Sequence, residues 1–270
     1  MPEGPEVRRM AEGLARRIEG RDLVCAEVLG GKWLKKEPTG ISVITEALKS
    51  GPIRVDSVNV KGKAIYVKIG DIFMWNTLGM GGGWRDARGK HSHFSLSFSD
   101  GREVFFEDIR RFGNISFYMG RNEIDHKLNQ IGPDMLNEHV TFEAFNERML
   151  KRPNKNICQL LMDQRVISGV GNYIKSEALY RAGINPHSTP SELSGDQMKS
   201  LYVWIRTIIR TSYDQGGATI ATYTDMDNNR GNFVFSFHVY RKDFDPVGNR
   251  VVHEITPDGR MTHWVPSLQK

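Results

Sequence analysis

The first residues that could do chemistry are those at the start of the chain, Met1-Pro2-Glu3. Removal of the initiator Met, common before a small residue, would leave Pro2 with a free secondary amine. An α-amino group titrates near pH ~8, so part of it is uncharged at neutral pH, whereas a lysine stays protonated up to about 10.4. Such an amine can attack a sugar C1′ to form an iminium, which is an electron sink for elimination. Glu3, its neighbour, is placed for general acid–base work. A proline at position two also occurs without any chemistry, so these residues alone make a candidate and no more.

Five further features carry reactive or binding side chains. Lys63, behind Gly62 and ahead of an apolar run, points either into a cleft or into solvent. Met80 stands among glycines at 79 and 81–83, as one apolar side chain on a tight loop or as core. In Asp108-Ile109-Arg110-Arg111-Phe112-Gly113, arginines that bind phosphate and base edges in bidentate fashion sit beside an aromatic able to wedge between base steps; a charged surface is the other reading. Residues 163–174 read as a helix, a double turn bearing Gly169 and Gly171, and a second helix opening at Asn172. Backbone N–H groups of such a turn converge with the helix dipole into an anion site, where Asn172 either caps the helix or contacts a phosphate. Arg260 follows an Asp258-Gly259 turn in a hairpin over 246–266, as a groove probe or as decoration.

The elements that would position these residues change along the chain. Val7, Met10, Leu14 and Ile18 predict a helix over 7–18 with Pro5 near its first turn. From 21 to 118 short β-type runs follow (23–29, 53–60, 64–69, 72–76, 94–98, 104–106 and 114–117), and Phe94, Leu96 and Phe98 alternate with serines. Turn signals without long helices between them indicate a sandwich. From 140 the pattern is helical, over 142–150, 156–163, 173–182 and 197–213. Residues 218–232 read as a mobile polar loop, and 233–240 with the run to 264 as strands and a hairpin. The expected class is α+β with a break near 120–140 and segments 1–125, 138–232 and 233–270.

Composition narrows the class. The chain has 270 residues, 39% hydrophobic and 10% aromatic, which supports a sizeable core and excludes a disordered chain. The net charge of +5 is spread as +4 over residues 1–130 and +1 over the rest, counting 21 basic and 17 acidic residues, then 16 and 15. That permits a polyanionic partner without demanding one. Two cysteines, Cys25 and Cys158, exclude a disulfide scaffold and a cysteine-rich zinc site, and read as two mostly buried, reduced thiols. No long apolar run and no signal peptide are visible. The expected location is cytoplasmic in a bacterium or nuclear in a eukaryote, and not secreted.

In their order along one chain these features resemble the formamidopyrimidine-DNA glycosylase / endonuclease VIII family of base-excision repair enzymes. The resemblance runs from Pro2-Glu3-Gly4-Pro5-Glu6 through Gly62-Lys63, Leu78-Gly79-Met80, Arg110-Arg111-Phe112-Gly113, Leu161-Met162-Asp163-Gln164 and Gly169-Val170-Gly171-Asn172-Tyr173 to the C-terminal hairpin. It implies an N-terminal β-sandwich with its leading helix, a helix–two-turn–helix (H2TH) domain and a β-hairpin finger, acting as a monomer on damaged double-stranded DNA without a cofactor. It implies a flipped base, attack by Pro2, release of the base with help from Glu3, assistance from Lys63, and β,δ-elimination. Asn172 and Gly171 match a phosphate site, Arg111 and Arg260 match DNA contacts, Met80, Arg110 and Phe112 match residues filling the emptied stack, and Glu6 matches a carboxylate near the lesion pocket.

One departure stands out. Many members carry four zinc-binding cysteines in the finger, and here those positions fall on Val247, Arg250, Val265 and Leu268. This resembles a zincless finger in which apolar packing replaces the metal. That finger and the Arg110-Arg111-Phe112 neighbourhood point to Nei-like substrates, oxidised pyrimidines and ring-opened purines. The length of 216–240 and its Gly-Gly-Ala-Thr opening resemble the branch that excises 8-oxoguanine.

Overall fold

A computed structural model describes residues 1–218 and 223–270. They fall into two compact units, one of residues 1–2, 6–130 and 223–231, the other of 3–5, 131–218 and 232–270.

The leading helix α1 (Gly4–Ile18) buries Val7, Met10, Leu14 and Ile18 to 1% exposure or less, so the 3-4-4 spacing is a core face. Eight strands follow: β1 (Asp22–Val28), β2 (Ile53–Lys61), β3 (Ala64–Ile69), β4 (Ile72–Thr77), β5 (Gly83–Arg85), β6 (Ser92–Phe98), β7 (Glu103–Glu107) and β8 (Asn114–Met119). They are hydrogen-bonded in the order β5-β7-β6-β1-β2-β3-β4-β8, with every pair antiparallel. The β1–β2 ladder is only two pairs long, Asp22 with Arg54 and Leu23 with Ile53. There the sheet folds over into two four-stranded layers sharing one core, where Phe94 of β6 meets Phe117 of β8 at 6.0 Å. This is the sandwich the alternation predicts.

Two helices of this unit are absent from the sequence reading. Helix α2 (Ile41–Leu48) is rich in β-branched residues, which lower helix propensity, yet burial of Ile44 fixes it as a helix. Helix α3 (Arg121–Asn129) is almost wholly polar; it buries Ile124 and sets Lys127 over the rings of Tyr118 and Trp75 at 4.8 and 5.5 Å.

The second unit contains α4 (Phe142–Leu150), α5 (Ile157–Met162), α6 (Asn172–Ala182), α7 (Gly195–Asp214) and a hairpin of β9 (Val252–Ile255) and β10 (Met261–Trp264). Thr141, Asn156 and Ser194 cap three of the helices through their side-chain oxygens. Helix α6 is central, with every residue from Tyr173 to Leu179 buried.

Three expectations need correction. Residues 233–236 form a 3-10 turn instead of a strand. Phe233 and Phe237 both pack on Tyr173, at 5.9 and 5.5 Å, whereas a strand would hold them roughly 13 Å apart. Of the expected mobile loop, residues 219–222 lie outside the described residues, but Tyr223 and Met226 are buried in the sandwich core. Asp225 and Asp227 pair with Arg9, Arg16 and Arg17 of α1, which anchors this part of the segment. Cys25 is exposed on β1; only Cys158 is buried, and burial pushes its thiol up to about 11. No described helix is long and apolar enough to cross a membrane.

Candidate active site

The residues singled out from the sequence divide between the two units. In the second unit the chain start meets the double turn. The Gly4 N–H donates to the Gly169 carbonyl at 2.8 Å, and the Glu3 carboxylate, 2% exposed, accepts the N–H groups of Tyr173 at 2.9 Å and Ile174 at 3.4 Å. These are orphan donors in the first turn of α6, where the dipole favours a negative charge. Two of the N–H groups at the expected anion site are therefore taken by Glu3. Gly171 makes the approach possible, since a Cβ there would lie 2.2 Å from the Glu3 carboxyl carbon.

Asn172 does not cap the helix, because the capping position is Gly171. Its amide Nδ2 instead donates to the Met261 carbonyl at 2.8 Å, while its Oδ1 is buried without a hydrogen-bond partner. The turn is braced by Gln164, whose amide bridges the Val170 carbonyl at 2.9 Å and the Gly169 N–H at 3.1 Å.

Pro2, Glu6 and Lys63 belong to the first unit, where Pro2 and Glu6 are buried. Glu6 lies in the first turn of α1, and its backbone carbonyl accepts the Tyr223 hydroxyl at 2.6 Å. Burial, then the nearby Glu6, raises the Tyr223 phenol well above its ordinary range, so it stays a donor. Tyr223 was not picked out from the sequence; an aromatic in a polar stretch was its only signal. Gly62 and Lys63 form the two-residue turn between β2 and β3. Gly62 has φ 59° and Lys63 no positive φ, the pattern of a II′ hairpin turn.

Met80 and the 108–113 loop come together. The Cβ missing from Gly79 would lie 2.4 Å from the Gly113 nitrogen, so the two backbones touch. Asp108, 2% exposed, organises the loop: its carboxylate accepts the N–H groups of Arg110 at 3.1 Å and Gly113 at 2.6 Å, and its carbonyl meets the His93 ring at 3.1 Å. Arg111 is held at φ 60°, in the left-handed region. Phe112 is left 57% exposed with the Arg110 guanidinium 5.2 Å from its ring centre. Met80 itself is half-buried. Asp108 was legible only as a residue that favours turns.

The hairpin and the segment at 238–240 ahead of it are fastened to α6 by buried polar groups that sequence reasoning missed. Lys175 Nζ lies 2.6 Å from Asp258 Oδ2. Ser176 accepts the His263 N–H at 3.4 Å, and the Glu177 carboxylate accepts those of His238, Val239 and Tyr240 at 2.7 to 3.1 Å. Burial raises Glu177 above the ordinary carboxylate range, opposed by those three donors. Arg260 is exposed, one residue beyond the Asp258-Gly259 turn.

The four positions that the resemblance matches to zinc ligands do not fit zinc. Val247, Arg250, Val265 and Leu268 offer no thiolate, imidazole or carboxylate. Nor does apolar packing of Val247 and Leu268 replace the metal, as they are 77% and 45% exposed. The small core here is Val239, Val251 and Val265. Two polar side chains close the turns instead. Asp245 accepts the N–H groups of Val247 at 3.1 Å and Asn249 at 2.7 Å, together with the Tyr180 hydroxyl at 3.0 Å. Buried Gln269 accepts the Val265 N–H at 2.7 Å and donates to the Ile184 carbonyl at 2.8 Å.

Comparison with known proteins agrees over nearly the whole length. Residues 1–115, 131–224 and 227–270 match the models of the formamidopyrimidine-DNA glycosylase N-terminal, H2TH and C-terminal domains. The formamidopyrimidine-DNA glycosylase of Oceanobacillus iheyensis is 30% identical over 279 residues, covering 100% of this chain and 98% of the relative. That of Shouchella clausii is 28% identical over 277 residues, covering 100% and 99%. Among solved structures, a Lactococcus lactis FPG variant bound to Fapy-dG-containing DNA superposes with TM-score 0.87 at 25% identity, covering 100% of both chains. The MutM (FPG) protein of Thermus thermophilus does so with TM-score 0.87 at 27% identity, covering 99% and 98%.

Proposed function

The chain belongs to the formamidopyrimidine-DNA glycosylase family, and from that premise we propose that it is a bifunctional DNA glycosylase/AP lyase that excises oxidised bases from duplex DNA as a monomer. The observation carrying this reading is Glu3, a buried carboxylate held by the first N–H groups of α6 and covalently next to Pro2. In this reading the initiator Met is absent and the Pro2 nitrogen attacks C1′ of the damaged nucleotide. The C1′–N bond breaks, and the base leaves with a proton delivered by way of Glu3. The C1′–O4′ bond then opens, O4′ taking a proton, to leave the Pro2–C1′ iminium, which acidifies C2′–H; loss of that proton expels the 3′ phosphate, and a second elimination expels the 5′ phosphate. Lys63 contributes positive charge for the phosphates. Asn172, Gly171, Arg111 and Arg260 hold the DNA backbone and the lesion side. Met80, Arg110 and Phe112, on two abutting loops, fill the stack vacated by the flipped base, and Glu6 lies near the lesion pocket.

Ring-opened purines are placed first among substrates, since the Nei-like signals point to them and the compared relatives carry the formamidopyrimidine name. The second reading, 8-oxoguanine ahead of oxidised pyrimidines, is favoured by the 216–240 segment; side-by-side excision of formamidopyrimidine, 8-oxoguanine, thymine glycol and dihydrouracil ranks them. Borohydride should trap a covalent protein–DNA adduct on the peptide beginning at Pro2. Pro2→Gly should abolish trapping, and Glu3→Gln should slow base release at least about a hundredfold. A retained Met1, seen by mass, together with no trapping on any damaged duplex, would leave a catalytically silent binder of damaged DNA.

A further inference from the structure

We propose that the Lys175–Asp258 ion pair is a positioning lock that fixes Arg260 at the tip of the hairpin relative to Asn172 at the start of α6, in place of the metal this finger cannot hold. The inference rests on the DNA-binding reading above for its consequence, though not for its geometry.

Two four-residue strands make a hairpin that is marginal alone and needs an anchor. Asp245 and Gln269 close turns at 245–249 and 265–269, and neither reaches the tip. At the tip, Lys175 and Asp258 side chains are 0% and 3% exposed with 2.6 Å between Nζ and Oδ2. The other Asp258 oxygen accepts the Thr256 hydroxyl, and Thr256 and Thr262 hydroxyls meet at 2.6 Å. Gln159 of α5 donates to the Pro257 carbonyl at 3.0 Å. Both carboxylate oxygens of Asp258 thus have a partner, and the turn is held from both α5 and α6.

A buried ion pair is a poor device for stability alone, because desolvation offsets its attraction and an apolar pair of similar volume does as well. What it supplies is direction, since the carboxylate must face one ammonium on one helix. Lys175 is one turn along α6 from Asn172, whose amide holds the Met261 carbonyl, the residue after Arg260. The two contacts bracket Arg260 and make Asn172 and Arg260 a single rigid reader of the DNA backbone.

The test uses the full chain and the double variant Lys175→Met/Asp258→Asn, which leaves no lone buried charge. Limited trypsinolysis, followed by mass, reports cleavage after Arg260 and tests the lock without DNA. Cleavage there should rise at least tenfold while other sites and the melting temperature change little; unchanged cleavage overturns the proposal. For the consequence, binding to a duplex with a tetrahydrofuran abasic analogue should weaken about tenfold, with the single-turnover rate at saturating enzyme kept within about twofold. Adding Arg260→Ala should weaken binding no further than Arg260→Ala alone, while additive losses would show that the pair does not act through Arg260 and overturn the proposal. A wild-type protein that ignores damaged DNA, with the trypsin effect still seen in the double variant, would refute the functional reading and leave the lock standing.

Discussion

At the scale of single residues, Glu3 has two tasks. Its carboxylate satisfies two orphan N–H groups of α6 and stands beside the candidate nucleophile. Glu3→Gln keeps an acceptor for the helix while losing the acid, so it should fold normally and fail in catalysis. Gly171→Ala makes the converse point. Its φ of −133° suits any residue, so the obstacle is space: the new Cβ would lie 2.2 Å from the Glu3 carboxyl carbon. Displacing Glu3 should cost about 1 kcal/mol of stability, the value of a helix cap, and slow base release at least about tenfold, read by thermal melting and single-turnover excision.

At the scale of elements, the 108–113 loop holds its side chains out through one buried carboxylate. Asp108→Ala removes the acceptor for the Arg110 and Gly113 N–H groups and releases the left-handed Arg111. Loss of two hydrogen bonds to a buried carboxylate should cost roughly 3–6 kcal/mol. Urea denaturation would measure that cost, and the signature of a loosened wedge is a smaller preference for lesion duplex over undamaged duplex than wild type shows. The hairpin adds a pH dependence. His263, packed between Tyr240 and His253, is held down to about 4, first by burial and then by His253, Arg241 and Lys175. Its folded value lies below the ordinary ~6.5, so the fold favours the neutral ring. That contribution is fully present above about pH 6.5 and is lost as pH falls from there towards 4. His263→Phe should flatten the decline, measured as unfolding free energy against pH; an unchanged slope would place the acid sensitivity elsewhere.

At the scale of the whole molecule, the two units were legible to different degrees. Apolar periodicity located α1, seven of the strands and the four helices of the second unit within a few residues, because those patterns report burial directly. Helices α2 and α3 were not legible, one being β-branched and the other polar, and each is helical because of a single buried isoleucine and its surroundings. The candidate residues Pro2, Glu3, Lys63, Asn172 and Arg260 were visible as types in order. Their supports, Asp108, Lys175, Glu177, Asp245 and Gln269, were not, since a polar residue that will be buried looks the same in sequence as one that will be solvated.

By itself, then, the sequence determined the α+β class, the order of the chemical groups and the absence of metal ligands from the four finger positions, because these follow from residue type and from periods of two and 3.6. Only the tertiary structure decided that the carboxylate on the first N–H groups of α6 is Glu3, that Asn172 holds the hairpin instead of capping a helix, and that Val247 and Leu268 stay exposed while Asp245 and Gln269 close the finger's turns beside a small valine core. Those outcomes depend on which distant backbone N–H groups and charges are brought within about 3 Å of one another, a distance that sequence separation does not encode.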